Sequence, residues 1–376
     1  MCVMSAPPSV PSIMPDQKGN LGADMQRVNS ELQSLADPSR HTEALDLRNA
    51  SATQLQGYLK SMLVIRFVEE AIGDMVASRE AVCPCHLGIG QEAVAVGVST
   101  HLNAGDRVFG AHRSHAHYLA LGGSVDALVA EILGKETGCS RGMGGSMHLY
   151  APEVGFQGSV PIVAGTIPIA VGAALAIQLD CTPQVAVSYF GDGAAEEGVL
   201  HESLNFARVK NLPVLFVCEN NFYSSHLDIV LRQPSDRVSR FADAHRVPVR
   251  VVEGNDVGAV AVAAGELIER ARRGEGPGFL EAITYRWRGH VGADENIDVG
   301  VRRKLEDVLA WKRRDPIRRL ADAMIARGVI DAAGYAALET QVRAVIGNAV
   351  MAARAAPYPA PETLLGRVYA SNRVAP

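Results

Sequence analysis

The sequence lacks any apolar run approaching the roughly eighteen residues needed to cross a membrane. It has little excess charge of either sign, with 36 Lys and Arg against 41 Asp and Glu. It therefore lacks the excess positive charge that is typical of nucleic-acid-binding proteins. Its N-terminal stretch lacks the basic start and apolar core of a secretory signal, and it is not rich in Arg like a mitochondrial presequence. We therefore expect no membrane partner, no nucleic-acid partner and a cytoplasmic location.

Cysteine is also scarce, with 6 residues scattered over 376, which argues against a disulfide framework and favours a reducing compartment. CPCH, at 83–86, and HRSHAH, at 112–117, are alternatively interpreted as zinc ligands. Cys83 and Cys85 are separated by a single residue, however, whereas structural zinc sites prefer a spacing of about two to four. We interpret the cysteines as core thiols, and His115 and His117 as ordinary polar or partly buried residues.

What the chain does contain is 48% hydrophobic residues, enough for a full core. Residues 1–40 are rich in Pro, Ser, Gln and Asp without periodicity, which predicts a mobile, disordered N-terminal arm. Residues 41–370 are expected to form one domain. Continuous apolar runs over 184–190 and 213–220, separated by a helical pattern, are typical of a β-α-β unit whose strands are buried on both faces. The predicted fold class is α/β, with a doubly wound and mostly parallel sheet.

The sequence also predicts helices and strands outside this β-α-β unit. Apolar spacing predicts a helix beginning near residue 53, and strands are expected over 249–254 and 278–287. The C-terminal third is helical in pattern, and one of its helices should begin at Asp315 as N-cap and end at Gly328.

The apolar segment 165–179 carries small residues, Gly172 and Ala176, in a helical pattern. Small residues permit the close approach of another helix, either within this subunit or at a subunit interface. The sequence leaves these two alternatives open.

Asp192 stands in the stretch YFGDGAAEEG, where an α/β protein usually offers bare backbone to a phosphate. The glycines are spaced G-x-G-x4-G rather than G-x-G-x-x-G, and Asp192 would repel a bare pyrophosphate, so a dinucleotide fingerprint is rejected. An N-cap role for Asp192 is the simpler structural interpretation. We favour a divalent cation between the carboxylate and a phosphate, because polar residues also follow the next strand.

Those polar residues lie in CENNFY, one crossover later. Asn221 offers an amide oxygen and Tyr223 a backbone carbonyl, which suit octahedral Mg²⁺ with phosphate oxygens and water in the remaining positions. Because ligands of a doubly wound sheet bind beyond the carboxyl ends of its strands, we expect Asp192 and these two residues to form a magnesium–diphosphate site. Glu196 and Glu197 are interpreted mainly as residues that start the following helix.

GDGAAEEG, followed about thirty residues later by ENNFY, resembles the thiamine-diphosphate motif. Further motifs resemble, in order, those in the alpha subunit of 2-oxo acid dehydrogenase first components, the family that includes the pyruvate and acetoin dehydrogenases. They are CHLGIGQEA (85–93), RGMGGSMHLY (141–150), GTIPIAVGAALA (165–176) and YRWRGH (285–290). The resemblance covers roughly residues 55–370.

The resemblance implies a thiamine-diphosphate-binding fold and a heterotetramer of two alpha and two beta chains, with thiamine diphosphate between them. The beta subunit would be a separate partner, because this chain is too short for both halves. The implied reaction is oxidative decarboxylation of a 2-oxo acid, with acyl transfer to a lipoyl acyltransferase. The alternatives are an acetoin dehydrogenase or another thiamine-dependent enzyme that cleaves or joins C–C bonds, and a non-catalytic binding subunit.

The resemblance also assigns residues of this chain to the cofactor and the reaction. Mg²⁺ would be bound by Asp192, Asn221 and the Tyr223 carbonyl, and the catalytic histidines would be His86 and His290. The residues expected at thiamine diphosphate are His112, Arg113, Pro161, Val163, Asp192, Gly193, Ala194, Asn221 and His290.

Several positions depart from the family pattern. His112 replaces a tyrosine that often precedes the arginine, and Pro161 replaces a glycine or serine. Pro84 replaces an aromatic residue of pyruvate-type members, so the identity of the 2-oxo acid stays open. Val291 follows His290 where mitochondrial members carry a regulatory serine, and that phosphorylation switch is expected to be absent.

Overall fold

The computed structural model of the protein describes residues 30–295, 297–298 and 301–366. The strands are β1 (Arg107–Gly110), β2 (Phe156–Ser159), β3 (Ala186–Gly191), β4 (Val214–Asn220), β5 (Tyr223–Ser224), β6 (Leu227–Asp228), β7 (Val249–Glu253), β8 (Gly278–Ile283), β9 (Ile297–Asp298) and β10 (Val301–Arg302). The α-helices are α1 (Ala52–Ala77), α2 (Glu92–Ser99), α3 (His115–Ala120), α4 (Val125–Ile132), α5 (Thr166–Leu179), α6 (Gly198–Lys210), α7 (Arg240–Ala244), α8 (Val257–Arg272), α9 (Leu305–Lys312), α10 (Pro316–Ala326), α11 (Ala332–Ala355) and α12 (Thr363–Gly366). Within these ranges, no helix is both long enough and apolar enough to span a membrane.

The main sheet has the strand order β2-β1-β3-β4-β8-β7, and each neighbouring pair in it is parallel. Two short hairpins, β5-β6 and β9-β10, are antiparallel. Every residue of β4 is buried, as expected for a central strand with helices on both faces of the sheet. The structure thus confirms the predicted α/β fold with a mostly parallel sheet.

Side chains of β3 alternate between the two faces of this sheet. Val187 and Tyr189 belong to a core shared with α1, α2, α8, α10 and α11, whereas Ala186 and Phe190 belong to a second core shared with α5 and α6. The carboxyl ends of the central strands are therefore held between two packed layers.

Capping residues fix the helix ends. The α1 helix begins after Ser51, whose side chain accepts from the backbone N–H of Gln54 while the Gln54 side chain accepts from the Ser51 N–H at 3.0 Å, a capping box. Asp315 caps α10 as predicted, through a side-chain bond of 3.0 Å to the backbone of the first turn. Beyond its other end, Gly328 has a φ of 70°, the left-handed conformation typical of a helix terminus.

The small residues of α5 lie on an open face of the helix. Gly172 is exposed, and a Cβ added there would meet nothing within 4 Å. Ala176 is half-buried, and on the same side Ile169 and Leu179 are 54% and 74% exposed. Of the two alternatives left open above, close packing inside the subunit is therefore wrong for Gly172.

The prediction of a mobile arm over residues 1–40 is wrong for residues 30–40, which pack on the domain. Leu32 and Ala36 are buried and pack into the second core. Composition predicted an arm because it cannot show that two isolated apolar side chains, Leu32 and Ala36, are buried against the domain. The rest of the predicted arm, like the last four residues of the predicted domain, lies outside the described residues.

Candidate active site

The predicted metal-binding residues meet at the carboxyl edge of the sheet. The last residue of β3 pairs with Glu219 in β4, so Asp192 and Asn221 leave neighbouring strands at the same edge. The backbone of Gly193 packs against β5, since a Cβ at Gly193 would lie 2.7 Å from the Cβ of Ser224. The turn after β3 and the hairpin after β4 therefore form one site.

Asp192 is buried in this site, with 2% of its surface exposed. Its Oδ2 accepts a hydrogen bond from the guanidinium of Arg232, whereas its Oδ1 is buried without a hydrogen-bond partner among the described residues. Burial raises the pKa of Asp192, against the opposing effect of the Arg232 charge. A buried carboxylate oxygen that lacks a donor fits a cation site.

The amide of Asn221 is held by its neighbours. Its Nδ2 donates to Gln91 Oε1 at 3.3 Å, and its Oδ1 accepts from the backbone N–H of Tyr223 at 3.3 Å. Phe222 between them is fully buried and has a φ of 69°, a strained conformation for an aromatic residue. This turn follows β4 at the same edge of the sheet where Asp192 follows β3. An amide oxygen there fits the all-oxygen donor set that Mg²⁺ prefers.

The segment directly after Asp192 precedes the predicted α-helix. Residues Asp192–Glu196 form a short 3-10 helix that contains Gly193 and Ala194, and α6 begins only after Glu197, which occupies its N-cap position. Glu196 therefore ends the 3-10 helix instead of starting α6, and its carboxylate pairs with the guanidinium of Arg232. Glu197, as the N-cap, does start the helix. The 3-10 helix holds Gly193 beside β5, at the end of β3.

Three of the predicted site histidines form a cluster. The ring centroid of His86 lies 4.7 Å from that of His112 and 4.8 Å from that of His290, and the last two are 5.3 Å apart. Burial, together with the charge of Arg113, lowers the pKa of His86 and of His290 to about 3 and that of His112 well below its usual range. At neutral pH each ring is therefore uncharged, with one N–H donor and one acceptor nitrogen.

Arg113 connects the histidine cluster to the backbone of two neighbouring segments. The guanidinium is buried, and it donates from Nη1 to the carbonyl of Leu87 at 2.6 Å and from Nη2 to the carbonyl of His290 at 3.3 Å. It therefore fixes the backbone positions of two segments that carry cluster histidines, and it supplies a positive charge suited to an anionic group.

Pro161 and Val163 lie in the turn before α5, nearer the surface. Val163 is 53% exposed and Pro161 is half-buried. Thr166 donates from Oγ1 to the carbonyl of Gly110 at 3.0 Å, which ties the start of α5 to the end of β1, just before His112. The turn that carries two of the residues expected at thiamine diphosphate is thus joined to the segment that carries His112, with the Val163 side chain open to solvent.

His115 and His117 are more buried than expected, and neighbouring side chains hold both rings. His115 contacts Glu69 Oε2 through Nδ1 at 3.2 Å and Ser146 Oγ through Nε2 at 2.9 Å. His117 is buried and stacks on the ring of Tyr189, with centroids 3.8 Å apart.

The zinc alternative for the cysteines fails. Cys85 is buried in the first core, and Cys83 packs against that core. In the part of the chain that the structure describes, the one group of three or more side chains placed to share a metal ion is His86, His112 and His290, and it contains neither thiol.

Sequence reasoning missed Arg232, which reaches into the site. Its side chain is 6% exposed, pairs with Asp192 and Glu196, and donates from Nε to the carbonyl of Leu227 at 3.0 Å. No motif or periodicity marks this arginine, which lies forty positions beyond Asp192.

Glu131, in α4, was also missed. The buried carboxylate accepts four backbone hydrogen bonds, with Oε2 bound to the N–H groups of Ser140 (2.7 Å) and Gly142 (2.9 Å) and Oε1 to those of Gly144 (2.7 Å) and Gly145 (3.0 Å). Four donors on one carboxylate hold the RGMGGS loop in a single conformation.

The fold and this site define a class of protein: an α/β enzyme whose parallel sheet presents a carboxylate, an amide, an arginine and neutral histidines to an anionic cofactor. Residues 60–362 match the family described as "Dehydrogenase E1 component", and the chain belongs to this family. Its members are oxidoreductases that depend on thiamine diphosphate, and their alpha subunits pair with beta subunits. The resemblance inferred from the motifs is thereby confirmed.

Curated relatives agree with this assignment. The chain is 39% identical, over 314 residues, to the alpha subunit of acetoin:2,6-dichlorophenolindophenol oxidoreductase of Bacillus subtilis, covering 83% of this chain and 92% of that protein. It is 35% identical, over 300 residues, to the pyruvate dehydrogenase E1 component subunit alpha of Rhizobium meliloti, covering 80% and 85%. The mitochondrial pyruvate dehydrogenase E1 component subunit alpha of Solanum tuberosum is 34% identical over 332 residues, covering 88% and 82%. The chain is an alpha subunit of this family.

Proposed function

We propose that the chain is the alpha subunit of a magnesium- and thiamine-diphosphate-dependent enzyme that oxidatively decarboxylates a 2-oxo acid, pyruvate or a branched-chain acid, and passes the acyl group to a lipoyl acyltransferase. The observation that carries the proposal is the meeting of Asp192, Asn221 and Tyr223 at the ends of β3 and β4, with a buried carboxylate oxygen in need of a partner. Relatives named as pyruvate dehydrogenase subunits support the substrate class.

In this proposal Asp192, Asn221 and the Tyr223 carbonyl hold Mg²⁺. The backbone N–H groups of Gly193 and Ala194, with the Arg113 guanidinium, hold the diphosphate. When bound, thiamine diphosphate supplies the electron sink that decarboxylation of a 2-oxo acid requires.

The chain's own histidines then bind the substrate and handle protons. His86 Nδ1 is buried without a hydrogen-bond partner among the described residues, which suits it to bond a substrate oxygen. A diphosphate against Arg113 would offset part of the positive charge that lowers the pKa of His86 and His290. Both rings would thereby gain basicity and become better able to accept and return a proton.

The open face of α5 supports the proposed assembly. Its exposed apolar side chains, Ile169 and Leu179, flank the small residue Gly172, and an apolar face of this kind is typical of a subunit interface. We assign this face to contacts within a heterotetramer of two alpha and two beta chains.

The test uses the full chain co-expressed with a beta-type subunit from the same organism. Reduction of an artificial dye is followed with Mg²⁺ and thiamine diphosphate, and pyruvate, branched-chain 2-oxo acids and acetoin are compared side by side. Turnover is expected with a 2-oxo acid. Asp192→Asn should weaken magnesium-dependent cofactor binding by at least roughly 100-fold, because even outer-shell partners of a metal site contribute about 10–100-fold. Asp180→Asn, at an exposed aspartate after α5, is the matched control and should change neither quantity.

Two results would contradict the proposal in different ways. Turnover with acetoin alone would replace the 2-oxo acid by acetoin. Tight, magnesium-dependent cofactor binding without turnover on any of these substrates would leave a binding subunit.

A further inference from the structure

Arg232 places a positive charge on the carboxylate that the proposed function gives to Mg²⁺. Its guanidinium donates to Asp192 Oδ2 and to Glu196 Oε1, and its side chain is 6% exposed. One cation therefore already bridges the two acidic groups at the end of β3.

The backbone that carries Arg232 lies at the surface, unlike its guanidinium. Arg232 follows the short 3-10 helix Ile229–Leu231, in which Leu231 is 58% exposed. Its backbone N–H donates to the carbonyl of Ile229 at 3.0 Å, so its main-chain bond is local. The long side chain can therefore leave Asp192 by rotation about its own torsions, without opening a core.

A divalent cation and this guanidinium are unfavourable neighbours. Both are attracted to Asp192, and in a buried site of low effective dielectric their mutual repulsion is strong. A second guanidinium, that of Arg286, also acts on Asp192 from nearby. Mg²⁺ without an accompanying anion is therefore opposed by two positive charges, and a diphosphate brings the negative charge that offsets them.

We propose that Arg232 is a built-in substitute for the metal. In the cofactor-free chain its guanidinium neutralises Asp192, and Mg²⁺ displaces it only together with a diphosphate. This inference rests on the proposed function, since it takes Asp192 as the metal ligand. It adds that metal and cofactor binding are coupled through the displacement of one side chain.

The test measures binding of Mn²⁺, as a probe for Mg²⁺, by the loss of the free-ion electron paramagnetic resonance signal. The full chain, in complex with its beta subunit, is titrated with and without thiamine diphosphate. Arg232→Gln removes the competing charge, so Mn²⁺ affinity without the cofactor should rise by at least about tenfold, with a smaller change when the cofactor is present. Arg237→Gln is the matched control, because Arg237 lies in the same segment and pairs with the more exposed Asp243; it should leave Mn²⁺ affinity unchanged.

A second variant covers the case in which Arg232→Gln does not fold, which circular dichroism will show. Arg232→Lys keeps one charge but loses the fork that bridges two carboxylates, and its Mn²⁺ affinity should lie between those of the wild type and the glutamine variant. Mn²⁺ affinity at or below the wild-type value in these variants would overturn the inference, and a loss of cofactor affinity would make Arg232 a ligand of the diphosphate. A wild-type complex that binds no Mn²⁺ even with thiamine diphosphate would overturn the proposed function and the inference with it.

Discussion

His86 and His112 pack edge to face, with ring centroids 4.7 Å apart and ring planes inclined by 73°. The contact brings together two residues from separate segments, one before α2 and one after β1. Burial, and after it the charge of Arg113, lowers the pKa of both rings, so the uncharged state of this pair is part of the folded structure.

The stability of the chain is therefore expected to fall as the pH is lowered below about 6.5. Unfolded histidines take up protons near that pH, whereas in the folded chain the pKa of His86 and of His290 is about 3. Between these two values the unfolded state binds more protons, and stability is lost. His112→Phe removes one such group, so the loss should be smaller by up to about 1.4 kcal/mol per pH unit.

The free energy of unfolding in urea, measured from neutral pH down to about pH 5, checks this. His148→Gln, at an exposed histidine, should leave the pH dependence as in the wild type. An equal slope for the wild type and His112→Phe would contradict the prediction.

A side chain at Gly193 is expected to distort the site. A Cβ there would lie 2.7 Å from the Cβ of Ser224, so Gly193→Ala should destabilise the chain by about 1–3 kcal/mol and weaken cofactor binding. Chemical denaturation and calorimetric titration with thiamine diphosphate and Mg²⁺ measure the two effects.

Two further variants separate this contact from a general glycine effect. Ser224→Gly removes the opposing side chain and should restore most of the loss when combined with Gly193→Ala. Gly198→Ala, where nothing lies within 4 Å of an added Cβ at the start of α6, should be neutral or stabilising by up to about 1 kcal/mol. Equal losses in both alanine variants would rule out the steric explanation.

The loop held by Glu131 offers a third prediction. Glu131→Gln puts an amide N–H₂ group against backbone N–H donors and removes the charge, so the chain should lose at least about 3 kcal/mol of unfolding free energy. The loop should also open more often, which limited trypsin digestion detects as faster cleavage after the exposed Arg141. Glu153→Gln, at an exposed glutamate, should match the wild type in both measurements, and the same digestion rate in Glu131→Gln would contradict the proposed role.

The central strands were predictable because their sequences allow few alternatives. The apolar runs 184–190 and 213–220 correspond to β3 and β4 within one or two residues. β1 and β2 were not predicted, since each has four residues, too few to show a period, and β2 contains Gly158 at a φ of 145°.

The site was predictable where its residues directly follow those strands. Asp192 and Asn221 were placed together by strand order and metal chemistry alone. Arg232 and Glu131 were not predicted, because tertiary contacts determine their partners. The partners of Glu131 are backbone N–H groups, which the pattern of side chains in the sequence does not reveal. The three clustered histidines come from distant segments of the chain, and the family motifs, not periodicity, had singled them out.

The exposed apolar face of α5 affects the stability of the subunit in the cell before it assembles. A newly made subunit that presents Ile169 and Leu179 to water exposes the kind of apolar surface on which unassembled proteins aggregate. We expect orphan copies to be cleared by proteases or retained by chaperones. The cellular amount of this chain would then follow the supply of its beta partner more closely than its own rate of synthesis.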